Sequence, residues 1–199
     1  MKKQQLIIKK SILEHENLLK IFSDEKFQKQ LIKAITVVVK AVKNKKKILV
    51  CGNGGSAADS QHFTGELVGR FRKERKPIPC VALTTNTSIL TSIGNDYSFE
   101  KIFSKQVEAI GNKNDILILI STSGKSKNVI QAAITAKKMG IKTISLTGER
   151  PNELAELSDI NLAVPSNSTP RIQEIHSILI HIICELLEEI LFPDGNRKT

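Results

Sequence analysis

Residues 48–56 read ILVCGNGGS, a short apolar run that ends in a cluster of glycines. An uninterrupted apolar run of this length is typical of a strand buried on both faces of a parallel sheet. Glycines directly after such a strand allow a tight turn and a close approach of the backbone to a ligand. The segment therefore predicts a strand and a ligand-binding turn, followed by a helix.

Four further apolar runs follow, and helical patterns separate them. The runs are rich in Val, Ile and Leu, as expected for strands that helices cover on both faces. The repeated order of strand and helix predicts an α/β fold with a doubly wound five-stranded parallel sheet. The predicted strands are 48–51, 80–84, 116–121, 142–146 and 160–164, and the predicted helices are 57–72, 99–110, 128–139, 153–157 and 171–191.

The first 45 residues carry Leu and Ile at helical spacing, with a break near Asp24. They predict an N-terminal helical arm, residues 1–45, whose apolar face packs on the main domain or on another subunit. The main domain is expected to span 46–192, in one structural domain with the arm. The tail from Pro193 to Thr199 is expected to fray.

Composition limits the class of protein. The net charge of +10 would attract nucleic acid or an anionic sugar phosphate equally, so it does not decide between them. With no Trp and one Tyr, base stacking has little support, and nucleic acid is not the expected partner. Short basic runs such as 45–47 and 73–76 are interpreted as solvated. Unpaired cysteines and the absence of a long apolar run predict a cytoplasmic protein without a membrane segment.

The glycine turn has a nucleotide interpretation and a plainer one. Gly52-x-Gly54-x-x-Ala57 resembles a dinucleotide fingerprint, but the second strand ends at Leu83–Asn86 without the carboxylate that would hold ribose. A dinucleotide site is therefore disfavoured. A turn that merely needs glycine remains an alternative.

A second loop, Ser121–Ser126, has the sequence STSGKS and also joins a predicted strand to a helix. Its end resembles a Walker A loop, but Leu119 stands where the leading glycine is required. Four hydroxyls and free N–H groups at a helix N-terminus favour a monophosphate. The alternative is that the hydroxyls only cap the helix.

Two helices carry polar stripes. On the helix after Ser56, His62 and Glu66 lie one turn apart, within a stripe that also holds Asp59 and Arg70. Such a pair suits metal binding or acid–base chemistry, although a solvated surface pair is the alternative. On the last helix, Gln173, Ser177 and His181 share the polar side with Cys184, Glu185 and Glu188. His176 falls on the apolar side and is predicted to be a core histidine.

These segments together resemble the sugar isomerase (SIS) domain, and within it the phosphoheptose isomerases. The resemblance covers nearly the whole chain and is carried by GNGGSAADSQHFTGELVGR (52–70), LTTNTSILTSIGNDYSFEKIFSKQVEA (83–109), ISTSGKSKNVIQA (120–132) and RIQEIHSILIHIICEL (171–186). It implies a flavodoxin-like SIS sheet over 46–192. It also implies a homotetramer with sites between subunits.

The implied reaction is the conversion of sedoheptulose 7-phosphate to D-glycero-D-manno-heptose 7-phosphate, for lipopolysaccharide or capsule. By resemblance, Glu66 and His181 are the acid–base pair, and one zinc ion per subunit is held by His62, Glu66, Gln173 and His181. A carboxylate bound to zinc is a weaker base, so the two roles of Glu66 compete. The implied substrate contacts are Asn53, Gly54, Gly55, Glu66, Asn95, Asp96, Ser121, Thr122, Ser123, Ser126 and Gln173.

Other readings stay open at this stage. Asn95 and Asp96 lie in a Gly-Asn-Asp segment that is ordinary turn chemistry by itself. Ser168-Thr169-Pro170 before Arg171, and Asn86 in place of a frequent Asp, depart from the family pattern and bear on sugar preference. A non-catalytic regulator of the same fold, either DnaA-associating or phosphosugar-sensing, is the alternative function. The complete set of His62, Glu66, Gln173 and His181 argues against it.

Overall fold

A computed structural model describes residues 1–149 and 151–194, and within them five parallel strands form one sheet in the order β2-β1-β3-β4-β5. The strands are β1 (Ile48–Gly52), β2 (Cys80–Ala82), β3 (Ile116–Ser121), β4 (Lys142–Thr147) and β5 (Ile160–Ala163). The order changes direction between β1 and β3, where open α/β sheets bind their ligands. Gly52 pairs with Ile120 in the register, so the glycine turn and the Ser/Thr loop leave the sheet side by side.

Helices cover both faces of the sheet. The helices are α1 (Lys2–Leu19), α2 (Glu25–Lys43), α3 (Gly55–Val68), α4 (Thr87–Asp96), α5 (Ser104–Ile110), α6 (Lys127–Lys138), α7 (Glu153–Leu157) and α8 (Thr169–Leu191). One hydrophobic core joins α2, α3 and α8 to the first face, and a second joins α5, α6 and α7 to the other, with α4 packed at the edge of the second core. The predicted doubly wound α/β fold is thus confirmed.

The helical arm behaves differently in its two halves. The predicted break is confirmed: a 3₁₀ turn precedes Asp24, whose carboxylate accepts a 2.7 Å bond from the Phe27 amide and so caps α2. Helix α2 packs its apolar face into the first core. Helix α1 contacts α8 but fully buries no residue, and Leu18 and Leu19 at its end pack against the first core. Five of its apolar side chains are more than half exposed, namely Leu6, Ile7, Ile8, Ile12 and Leu13.

One helix was not predicted. The Gly-Asn-Asp segment was read as turn chemistry, but Gly94, Asn95 and Asp96 form the last turn of α4. The side chain of Asn86 caps this helix by accepting a 3.1 Å bond from the Ile89 amide, and Leu90 and Ile93 pack against the second core. The cap and the apolar spacing outweigh the local preference of Asn and Asp for turns.

The structure describes only part of the C-terminal tail. Of the tail that was expected to fray, residues 195–199 lie outside the described part of the chain, while α8 ends at Leu191. A helix both long and apolar enough to cross a membrane is absent from the described residues.

Candidate active site and metal centre

Helices α3 and α8 run side by side in the same direction, and their polar stripes face each other. The carboxamide of Gln173 packs on Gly55, Ser177 donates a 3.2 Å bond to Asp59, and His181 meets His62. Both members of each contact advance by three or four residues to the next, which is one helical turn. The helices therefore bring residues from the middle and the end of the chain into one line.

Three of the four predicted metal ligands converge on this line. The Nε2 atoms of His62 and His181 lie 2.8 Å apart, and Nε2 of His62 lies 3.7 Å from a Glu66 carboxylate oxygen. One ligand atom from each residue falls within 4.8 Å of the other two. Zinc–nitrogen bonds of about 2.0–2.1 Å place tetrahedral ligands about 3.3 Å apart. The observed distances bracket that value, so the three side chains fit a small divalent cation.

The two imidazole rings share one hydrogen bond at most, in which one Nε2 donates to the other. A cation bound here would replace that hydrogen bond and take the lone pairs of both nitrogens. The ring of Phe71 stacks on His181, with centroids 5.5 Å apart and planes inclined by 26°. This contact covers one face of the imidazole and restricts its rotation.

Gln173 lies apart from His62 and His181, the two histidines of the cluster. It sits two turns before His181, about 12 Å along the axis of α8 at 1.5 Å per residue. A Cβ built at Gly55 would lie 2.9 Å from the side-chain carbonyl carbon of Gln173, so only glycine permits this approach. The structure thus seats Gln173 at the glycine turn, beside the first residues of α3.

The glycine turn itself is tied to the neighbouring loop. Gly54 has φ +55°, a backbone conformation that favours glycine. The carboxamides of Asn53 and Asn128 exchange two hydrogen bonds of 2.8 and 2.9 Å, which join the turn to the first residues of α6. Asn53, Gly54 and Gly55 therefore lie next to the Ser/Thr loop, as the strand order requires.

The Ser/Thr loop is folded by its own hydroxyls. Ser121 donates a 3.2 Å bond to Ser126 and accepts the amide of Gly124, and Ser123 accepts the amide of Lys125. Ser126 occupies the N-cap position of α6, yet its side chain makes no capping bond. The capping alternative therefore fails for Ser126. Thr122 and Ser123 line a cavity of about 240 Å³ together with Glu149, Asn167 and Thr169.

Asn95 and Asp96 are placed farther out. They lie exposed at the end of α4, where the Asn95 amide donates a 2.9 Å bond to the Asp96 carboxylate. Within the described ranges neither makes a hydrogen bond to another candidate site residue. The structure therefore brings together the two loops and the two helices, but leaves this pair at the periphery of the chain.

The interpretation of the basic run 73–76 as solvated is wrong for two of its residues. Lys73 and Arg75, in the basic run 73–76, are buried rather than solvated. Lys73 pairs with Glu189 at 2.7 Å, and Arg75 pairs with Glu188 at 3.0 Å. On the polar side of α8, Cys184 and Glu188 are buried, whereas His181 is exposed. The signal for this was a carboxylate on a stripe that already faced another helix, where it needs a partner.

Two titratable groups are shaped by burial. Burial raises the pKa of Asp59, although the bond from Ser177 and the nearby His62 act in the opposite direction. His176 is fully buried, as predicted for a core histidine, and burial lowers its pKa to about 4 despite its bond to the Thr147 carbonyl. His176 therefore stays neutral and takes no part in the site.

Known proteins are similar to this chain in sequence and in fold. The family model of the SIS domain matches residues 14–148. A phosphoheptose isomerase of Aliarcobacter butzleri is 52% identical over 93% of this chain and 97% of its own. Among solved structures, a phosphoheptose isomerase from Neisseria gonorrhoeae superimposes with a TM-score of 0.84 at 40% identity, covering 94% of this chain and 98% of that one. One from Francisella tularensis gives 0.85 at 37% identity, covering 94% and 97%.

Proposed function

The chain belongs to the phosphoheptose isomerase family of SIS-domain proteins, and we propose that it converts sedoheptulose 7-phosphate to D-glycero-D-manno-heptose 7-phosphate. It is an aldose–ketose isomerase of heptose biosynthesis. The observation that carries this proposal is the convergence of His62, Glu66 and His181 on two adjacent helices, the first of which begins at the glycine turn beside β3.

The chemistry requires a base and an acid on one substrate. The Glu66 carboxylate takes a proton from C1 of the ketose while His181 gives a proton to the C2 oxygen, which produces an enediol. Return of the first proton to C2 and removal of the proton on the C1 oxygen by His181 yield the aldose. Both groups end in their starting protonation states, so the cycle needs no other reactant.

A metal ion fits the same cluster. His62, Glu66 and His181 would hold zinc, with Gln173 as the fourth ligand in the family pattern, and the ion would polarise the substrate carbonyl. Glu66 would then serve both as a ligand and as the base, although ligation lowers the basicity of a carboxylate.

The phosphate is assigned to the Ser/Thr loop. Ser121, Thr122, Ser123 and Ser126 surround the N-terminus of α6, where N–H groups and the helix dipole favour an anion. Asn53, Gly54, Gly55 and Gln173 then lie along the sugar between the phosphate and Glu66. Asn95 and Asp96 are proposed to contact substrate from a neighbouring subunit, because in their own chain they lie at the periphery.

A homotetramer completes the proposal. The exposed apolar face of α1 supports assembly, since monomeric proteins rarely leave so many adjacent large apolar side chains uncovered. The arm of residues 1–45 is assigned to this contact and residues 46–192 to catalysis. Cys51, Cys80 and Cys184 are free thiols, which fits the proposed cytoplasmic location.

The direct test is incubation of the full chain with sedoheptulose 7-phosphate, with and without a chelator, followed by NMR of the products. Formation of the aldose that the chelator suppresses supports both the isomerase and its metal. Formation of the aldose that the chelator does not suppress supports the isomerase and shows that its activity needs no metal ion. Absence of the aldose in both samples would overturn the isomerase.

A further inference from the structure

A buried ion pair lies directly behind the cluster of His62, Glu66 and His181. The side chains of Arg75 and Glu188 are 1% and 2% exposed, and their charged groups meet at 3.0 Å. Arg75 follows α3 in the chain, and Glu188 lies on α8 two turns beyond His181. The pair therefore connects the two helices that carry the cluster.

The guanidinium also closes the end of α3. It donates to the backbone carbonyls of Glu66 at 2.8 Å and Leu67 at 2.7 Å, and to that of Gly69 at 3.1 Å. The last carbonyls of a helix have no partner within the helix itself. Arg75 supplies one here, and one of the carbonyls belongs to Glu66, the proposed base and ligand.

The carboxylate of Glu188 holds the segment that follows. It accepts the backbone amides of Phe71 at 3.0 Å, Arg72 at 2.9 Å and Lys73 at 2.9 Å, in addition to Arg75. Burial opposes ionisation of Glu188, but these amides and the guanidinium hold its pKa below the usual value. Because the ring of Phe71 stacks on His181, Glu188 also fixes the group that restricts the second imidazole.

We propose that Arg75 and Glu188 are a positioning pair, which sets the separation of α3 from α8 and thereby the geometry of the cation site. The inference rests on the metal centre in the proposed function and adds residues that do not touch the ion. A buried ion pair is weak evidence of a stabilising role, since well-packed apolar side chains often stabilise a fold equally. The planar guanidinium of Arg75 instead orients the end of α3, because it holds several carbonyls at defined angles.

The chain offers a matched control at the amino end of the central strand, β3. Asp115 is also buried, accepts the amides of Lys47 and Asn112, and pairs with the Lys47 ammonium at 2.6 Å. It resembles Glu188 in burial and bonding, but its partners Lys47 and Asn112 lie neither on α3 or α8 nor in the segment that follows α3. Loss of Asp115 should therefore destabilise the fold without altering the site.

The experiment measures cobalt binding to the full chain, stripped of metal, by visible absorption in competition with a chelator. The variants are Glu188→Gln, the milder Arg75→Lys, Asp115→Asn and His62→Ala. We expect Glu188→Gln and Arg75→Lys to weaken cobalt binding about 10-fold or more and to change its spectrum, as loss of groups that orient metal ligands does. Asp115→Asn should bind as the wild type does, at a lowered melting temperature.

Two results would overturn the positioning role. In the first, both variants bind cobalt with wild-type affinity and spectrum, while His62→Ala does not bind; the metal centre then stands and the role of the pair falls. In the second, the wild type does not bind cobalt at all, which removes the metal centre and the pair's role together. If Glu188→Gln does not fold, the Arg75→Lys result decides by itself.

Discussion

The Nε2 atoms of His62 and His181 face each other at 2.8 Å, although 119 positions separate the two residues in the chain. One belongs to the helix after the first strand and the other to the last helix. The cluster therefore exists only when the sheet is complete and α8 has packed on α3. We therefore expect metal binding at this cluster to be coupled to folding.

Binding of zinc to this cluster should stabilise the folded chain. An ion that binds the native state alone raises the free energy of unfolding by about 2.7 kcal/mol at a concentration 100 times its Kd. We expect zinc to raise the melting temperature of the wild type and to have no such effect on His181→Ala. The control is His15→Ala, which removes a histidine of α1 that lies 3.1 Å from Glu174 of α8 and should keep the zinc response. An equal zinc response in wild type and His181→Ala would refute the site.

Replacement of Glu66 by Gln should remove turnover and leave binding largely intact. Gln keeps the shape and loses the proton-accepting group, so kcat should fall by about 10²–10⁴. Substrate Kd, measured by calorimetry, should stay within a few-fold of wild type. The control is Glu185→Gln, which alters a carboxylate of α8 that pairs with Arg72, and it should keep its turnover. Wild-type turnover in Glu66→Gln would show that another group is the base.

The contact between Gly55 and Gln173 predicts a sharp difference between two glycines of α3. In Gly55→Ala the new methyl group collides with the end of the flexible Gln173 side chain, which should move away, so KM should rise while stability changes little. In Gly65→Ala the methyl group meets nothing within 4 Å, and alanine favours a helix over glycine by about 0.5–1 kcal/mol. Denaturant unfolding and KM measure both variants. Similar effects from the two substitutions would argue against the contact.

Buried His176 should make folding sensitive to mild acid. Its pKa is about 4 in the folded chain and 6.5 as the ordinary value, so below pH 6.5 the unfolded chain takes up a proton that the folded chain refuses. Stability should therefore fall as the pH drops from 6.5 to 4. The total is about 3 kcal/mol, since each pH unit between two pKa values corresponds to about 1.4 kcal/mol.

The comparison of wild type with His176→Gln isolates this term, because the other histidines contribute equally to both proteins. We expect the difference in stability between the two to shrink between pH 7 and pH 4.5, as measured by urea unfolding. A constant difference over that range would mean that His176 takes up its proton as readily in the folded chain as in the unfolded one.

Local patterns account for much of the fold and for part of the site. The five apolar runs located the strands, and helical spacing placed His62 beside Glu66 and separated His181 from buried His176. The support behind the site was hidden, because it depends on which helices become neighbours. Arg75 in a basic run and Glu188 on a polar stripe look solvated until α3 and α8 pack together. The Asn53–Asn128 pair likewise follows only from the adjacency of β1 and β3.

The uncovered apolar face of α1 sets a condition on when the complete structure is populated. Apart from Leu18 and Leu19 at its end, which pack against the first core, the apolar side chains of α1 would be covered only in the proposed assembly. That coverage would follow mass action, so we expect dilution to uncover this face while the rest of the fold persists.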